Sequence, residues 1–176
     1  MIYSVRGKLT VKELGFAVVE CGGVGYGCRT SYNTVAQLGE IGSEAMLYTY
    51  LYVREDVVEL FGFATQQELS CFKLLISVSG VGATSARMIL SAYTVPELQM
   101  LISTENVKQL KSIKGIGSKT AERIIVDLKD KVQKLSGEIP AASPVNNNKQ
   151  EALAALVVLG FNQAAASKVV DAIAKD

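Results

Sequence analysis

The 176-residue chain contains no histidine and no tryptophan, only three prolines and three cysteines, and a formal net charge of just +1. Each scarcity removes a class of function. Without histidine, general acid–base chemistry would fall to carboxylates, and none pair convincingly along the chain. Cys21, Cys28 and Cys71 lack metal-type spacing, and with no histidine to join them they offer no zinc site. Reduced, buried thiols of a cytosolic protein are the expectation. No run of about 20 apolar residues is present, so no membrane span is expected. Arg6, Lys8 and Lys12 interrupt the early apolar residues, which excludes a signal-peptide reading of the first segment. The near-neutral total also excludes a general polycation.

What is present is a repeat. Residues 75–90 read LISVSGVGATSARMIL, and residues 110–125 read LKSIKGIGSKTAERII. Aligned on their glycines the copies lie 35 residues apart, with six identities in 16 positions: Leu75/Leu110, Ser77/Ser112, Gly80/Gly115, Gly82/Gly117, Ala86/Ala121 and Ile89/Ile124. Val81 and Ile116 add an apolar match. Such self-similarity marks one structural unit used twice. Each copy has an apolar stretch, an apolar-Gly-apolar-Gly turn and a helical pattern after it. Ala121, Ile124, Ile125 and Leu128 recur at helical spacing. Glycines without a Cβ let backbone approach a ligand closely. A helix that starts just after such a turn presents unpaired N–H groups beside the positive end of its dipole, which is an anion site. Helix, Gly-x-Gly turn and helix make a helix-hairpin-helix unit. The plainer alternative, glycines capping an ordinary helical hairpin, is weakened by the second copy and by the Ser118, Lys119 and Arg123 that follow it.

Charge is concentrated on the same place. Residues 106–135 hold eight Lys/Arg (Lys108, Lys111, Lys114, Lys119, Arg123, Lys129, Lys131, Lys134) against three acids, whereas residues 1–62 hold five basic and seven acidic residues. A neutral chain with one basic segment points to a directed binding face. Two nucleotide motifs are excluded by spacing. In Gly115–Thr120, Ser118 separates Gly117 from Lys119 and Ser112 stands at the outer glycine position, so the phosphate-loop pattern fails. In Gly22–Gly27, Cys28 stands where the last glycine of a dinucleotide loop would fall.

The organisation reads as β followed by α. Residues 1–63 are expected to form five strands with a short helix at 33–39 ended by Gly39, closing into an OB-fold barrel whose corners are bent at Gly25 and Gly27. Residues 64–135 form the tandem helix-hairpin-helix domain. Residues 136–148 (SGEIPAASPVNNN) form a flexible linker. Residues 149–176 form a small helical domain, with Leu153, Leu156, Val157 and Leu159 on one stripe, Gly160 ending it, and Val169, Val170 and Ile173 on the next.

Barrel, paired hairpins and tethered helical domain together resemble the RuvA family, which binds Holliday junctions. Leu60-Phe-Gly-Phe63, Gly80-Val-Gly82, Gly115-Ile-Gly-Ser-Lys-Thr-Ala-Glu-Arg123, Leu159-Gly-Phe161 and Val53-Arg-Glu-Asp56 all look like that family. The resemblance implies a non-enzymatic, cytoplasmic homotetramer, alone or as two tetramers sandwiching DNA, without catalytic, metal or cofactor residues. It implies a place in DNA recombination, DNA repair and the SOS response to DNA damage. The implied DNA contacts are Gly80, Val81, Gly82, Thr84, Gly115, Ile116, Gly117, Ser118, Lys119 and Arg123. Glu55 and Asp56 match the family's acidic pin at the junction centre. The C-terminal domain, UBA-like in the family, would dock the RuvB ATPase through Leu156, Leu159, Phe161, Val169 and Ile173, with the RuvC resolvase as a further partner. Two departures stand out. Ala83 and Thr84 follow the first hairpin where many members carry a basic residue, and residues 149–176 supply two helices where the family's domain has three.

Other readings stay open on sequence alone. Glu55-Asp56 also suits an ordinary polar turn. A nuclease or glycosylase could use the same hairpins, but would need a carboxylate cluster or a nucleophilic lysine beside them. Tyr48, Tyr50 and Tyr52 alternate on one strand and suit either base stacking in a single-strand-binding barrel or packing.

Overall fold

The computed structural model describes residues 1–132 together with Leu156 and Val169, in a chain that divides into two units, Met1–Ile139 and Pro140–Asp176. The first unit begins with five strands: β1 (Ser4–Glu13), β2 (Phe16–Cys21), β3 (Val24–Thr30), β4 (Glu44–Val53) and β5 (Val58–Phe63). They close in the order β1-β2-β3-β5-β4, with β4 returning to β1. All pairs are antiparallel except β3 with β5, where Cys28 faces Leu60 and Thr30 faces Gly62. This is the expected OB-type barrel. The long β1 serves two neighbours. Its first half pairs with β4 and its second with β2, and the register slips by one residue between Leu9 and Val11, a bulge that bends the strand into closure.

Strand alternation sorts the side chains. Val5, Leu9, Ala17, Val19, Cys28, Ala45, Leu47 and Leu60 fill the barrel. The short helix α1 (Tyr32–Gln37) lies between β3 and β4, and Leu38, its C-cap, joins the barrel core. That cap, rather than Gly39, ends the helix, because the Leu38 N–H already bonds back to Thr34 and Val35 carbonyls. Gly25 and Gly27 do not adopt left-handed conformations. A Cβ on Gly27 would meet the Phe16 ring at 3.0 Å, so its smallness makes room for a neighbour rather than a corner. Cys28 and Cys71 are buried and free, and burial pushes both thiols up to about 12. Cys21 is half-buried.

Five helices follow: α2 (Gln66–Ile76), α3 (Ala83–Ala92), α4 (Val95–Ser103), α5 (Val107–Lys111) and α6 (Ser118–Val132). Their core is continuous with the outer face of the barrel. Phe61 and Phe63 of β5 point outward and pack on Phe72 of α2, with ring centroids 5.2 and 4.8 Å apart. Burying each such ring contributes roughly 1.5–3 kcal/mol. Tyr48, Tyr50 and Tyr52 pack against the same cluster, with Tyr50 edge-on to Phe72 at 5.6 Å and Tyr52 edge-on to Phe61 at 6.0 Å. Each of these half-buried rings therefore has a packing partner within the protein.

The expected linker and most of the C-terminal helical segment lie outside the described residues. No helix among the described residues is long and apolar enough to cross a membrane.

Candidate nucleic-acid interface

The two hairpins repeat each other bond by bond. Ser77 Oγ donates to the Leu74 carbonyl and Ser112 Oγ to the Gln109 carbonyl, both at 2.7 Å. The Val78 and Ile113 N–H groups donate to Leu75 and Leu110 at 3.1 and 3.3 Å. Val81 N–H donates to the Val78 carbonyl and Ile116 N–H to the Ile113 carbonyl, both at 3.0 Å. The next helix opens with Ala86 N–H on the Gly82 carbonyl and Ala121 N–H on the Gly117 carbonyl, both at 2.9 Å. Leu75, Leu110, Ala86, Ala121, Ile89 and Ile124 are buried. The shared serines and apolar residues thus fix the turn.

The glycines divide into two kinds. Gly80 and Gly115 have φ of 92° and 90°, a region that side chains with a Cβ avoid. Gly82 and Gly117 lie outside that region, and a Cβ on either would meet nothing within 4 Å. Nothing inside the protein requires glycine at Gly82 or Gly117. Their bare backbone faces open space at the start of α3 and α6.

The hairpin geometry sorts the sequence-derived contacts. Val81 and Ile116 have buried side chains, and their N–H groups are already bonded within the turn. Amides without a protein acceptor among the described residues flank them on both sides: Gly80, then Gly82, Ala83, Thr84 and Ser85 in the first unit, and Gly115, then Gly117, Ser118, Lys119 and Thr120 in the second. Open amides at helix starts are the donors from which an anion site can be built. Thr84 and Lys119 are exposed and Ser118 is half-buried. Arg123 is exposed but engaged: its Nη1 donates to the Ser79 carbonyl at 3.2 Å, tying the second unit to the turn of the first. Thr120 Oγ1 also lies 3.8 Å from the Cβ position of Gly80. The two hairpins therefore sit side by side.

Glu55 and Asp56 form the exposed tip between β4 and β5, closed by Arg54 N–H on the Val57 carbonyl at 2.8 Å. The Arg54 guanidinium lies over the Tyr52 ring at 5.1 Å. Of the C-terminal candidates, Leu156 is helical and half-buried and Val169 helical and exposed; Leu159, Phe161 and Ile173 lie outside the described residues. Among the described residues no three potential metal ligands gather.

One cluster escaped the sequence reading. Glu68 of α2 is buried and receives Ser31 Oγ on one carboxylate oxygen and Thr34 Oγ1, at 2.6 Å, on the other. Ser31 also accepts Thr34 N–H, and Thr34 Oγ1 accepts Ala64 N–H at 3.0 Å. Burial raises the Glu68 pKa, opposed by those hydrogen bonds. This clamp fastens the barrel's α1 to α2, the helix that leads into the first hairpin. Its partners lie 34 and 37 residues away in sequence, so no local pattern announces it.

Comparison with known proteins agrees with these two parts. A family model described as RuvA N terminal domain matches residues 1–62, and one described as SAM-like Helix-hairpin-helix tandem matches residues 72–130. A protein of Acetivibrio thermocellus is 45% identical over 184 residues, covering 100% of this chain and 91% of its own length. One of Christiangramia forsetii is 46% identical over 178 residues with the same coverage. One of Bacteroides thetaiotaomicron is 45% identical over 185 residues, covering 100% of this chain and 92% of its own. Each is named Holliday junction branch migration complex subunit RuvA.

Proposed function

Because the chain belongs to the RuvA family, we propose that it binds four-way DNA junctions by shape, holds them open and flat, and recruits the RuvB ATPase for branch migration in recombination and repair. It is a DNA-binding subunit and not an enzyme; ATP hydrolysis belongs to the partner. The observation that carries this reading is the pair of matching hairpins, each offering open amides at a helix start with Gly82 or Gly117 bare to solvent. A junction differs from duplex in shape, not sequence, and backbone donors aimed at phosphates carry no base code. Lys119 and Ser118 add charge and hydroxyl to the second grip. Arg123 supports it while bracing the first.

In this reading four copies surround the junction, singly or as two facing tetramers, in the cytoplasm. The Glu55-Asp56 tips meet at the centre. There the carboxylates repel phosphate, which discourages plain duplex from settling and favours strand separation. Residues 136–148 tether a 149–176 domain whose apolar residues Leu156, Leu159, Phe161, Val169 and Ile173 dock the motor, and the RuvC resolvase joins the same complex.

Competition among junction, duplex and single-stranded DNA of equal length tests the core of this proposal. The junction should win, with little sequence preference and a log–log salt slope of about −0.9 per phosphate neutralised. Equal affinity for linear duplex would overturn it. Removing residues 136–176 should leave junction binding intact and abolish branch migration with purified RuvB. Unimpaired migration would place motor docking elsewhere.

A further inference from the structure

The two hairpins share a backbone but not a cation. Thr84 stands where Lys119 stands 35 residues later, so the first grip has no positive side chain at that position. The fold brings one from the barrel. Arg29 lies on β3 between the buried Cys28 and Thr30, and so projects from the barrel's outer surface. There it lines a cavity of about 250 Å³ with Glu59, Phe61, Thr84 and Arg87. Thr84 is the second residue of α3, in the same turn that carries the open amides.

The way Arg29 is held suits a phosphate. Its Nε pairs with Glu59 Oε1 at 3.2 Å, and its guanidinium sits 5.9 Å from the Phe16 ring centroid. These contacts fix the side chain through one edge while it stays 54% exposed. Among the described residues its two Nη groups have no acceptor. A guanidinium held by one edge with its other donors free is ready for bidentate contact with a phosphate. Arg87 contributes a second positive charge to the groove, but its Nη1 already donates to the Thr30 carbonyl at 3.2 Å. Glu59 opposes an incoming anion there, and Glu13 lines the adjoining cavity of about 630 Å³ together with Arg29, Glu59 and Arg87.

We infer that Arg29 is a DNA-contacting residue: the barrel supplies, from a distant part of the sequence, the free cation that the first hairpin lacks at Thr84, and a backbone phosphate seated on the α3 amides is shared with the Arg29 guanidinium. The inference rests on reading the hairpins as phosphate grips.

The test uses the full-length protein, a four-way junction and a salt titration. Arg29→Gln should weaken junction binding several-fold on every sequence and make the log–log salt slope shallower by about 0.9 for each copy engaged. Glu59→Gln removes the same ion pair but should tighten binding, since it takes a negative charge from the groove. Thr84→Lys added to Arg29→Gln should restore affinity and slope. Arg29→Lys, which keeps the charge if the glutamine variant folds poorly, should retain the slope. If Arg29 were only a brace of the fold, Arg29→Gln and Glu59→Gln would shift binding in the same direction and both lower the melting temperature; that result overturns the inference. Lys119→Ala, run beside them, separates the two levels. A loss with Lys119→Ala but none with Arg29→Gln sinks the Arg29 assignment alone. No loss with either, and no preference for the junction, sinks the phosphate-grip reading as well.

Discussion

The first and second hairpins have one backbone and different attachments. The first is fastened to the barrel: Glu68 holds Ser31 and Thr34, Asn33 Nδ2 donates to the Leu90 carbonyl at 2.7 Å, and Arg87 donates to Thr30. The second packs among helices and carries the charge. At equivalent positions Lys119 answers Thr84, Lys114 answers Ser79, Glu122 answers Arg87 and Arg123 answers Met88. The positions kept alike are those that set the turn: buried Leu, Ala and Ile, the capping serines and the glycines. The positions that differ are those that choose neighbours. A duplicated unit can therefore keep its geometry with a handful of residues and differ through the rest, one copy fastened to the barrel and the other carrying most of the charge.

Breaking the first hairpin's anchor should have the largest effect. Glu68→Ala leaves the buried Ser31 and Thr34 hydroxyls without their acceptor, a cost of about 1–3 kcal/mol for each group left unpaired, measurable by urea unfolding. Hydrogen exchange should then accelerate in residues 77–92 more than in 112–124; equal acceleration would deny the difference in attachment. The same carboxyl predicts a pH dependence. Its folded pKa is raised above the ordinary 4.5, so the folded state holds the proton more tightly than the unfolded chain does. Stability from this group is full below that ordinary value and is lost as pH rises through the folded one. Glu68→Gln should flatten that part of the profile, and an unchanged profile would remove Glu68 as its source.

Next in size is the backbone the hairpins share. Gly80→Ala and Gly115→Ala should each destabilise by about 1–2 kcal/mol, because both glycines are left-handed. Similar losses confirm a common geometry, and a gap larger than 1.4 kcal/mol, a factor of about ten in the unfolding equilibrium, would break it. By contrast Gly117→Val should fold and lose junction binding, since its Cβ meets only open space. Normal binding by that variant would remove the phosphate-grip assignment. Lys119→Ala should follow, weakening junction binding by about 1 kcal/mol per subunit without sequence bias; a sequence-dependent loss would argue for base contact instead. The smallest effect is expected at the tip. Glu55→Gln with Asp56→Asn should tighten plain duplex slightly more than junction in a competition assay, and weaker duplex binding by the folded variant would return the tip to an ordinary turn.

What could be read from the sequence was what is local. Tandem hairpins are legible because Gly80/Gly115 and their partners recur at a fixed offset, and strands show through alternation, as in Tyr48, Tyr50 and Tyr52. Barrel closure and helix order followed. What stayed hidden depends on chain crossings. Glu68 looks like any acid in a first helical turn until Ser31 and Thr34 are folded beside it. Arg123 reads as a free cation until Ser79 is brought within 3.2 Å. Gly62 gives no sign that a Cβ would meet Cys28 Cβ at 2.9 Å. The motif includes Val81 and Ile116, but only the fold shows that their amides close the turn by bonding the Val78 and Ile113 carbonyls.

That closure has a thermodynamic consequence. Fixing a backbone residue loses about 1–2 kcal/mol of conformational entropy. In both hairpins this ordering is completed when the chain folds, by hydrogen bonds internal to each turn. Association of a ligand at the hairpins would then have no loop left to order, so modest attractions at each one would persist as net affinity. The binding reaction should accordingly show a small heat-capacity change and a large response to ionic strength, the signature of a rigid electrostatic template rather than of a segment that folds on contact.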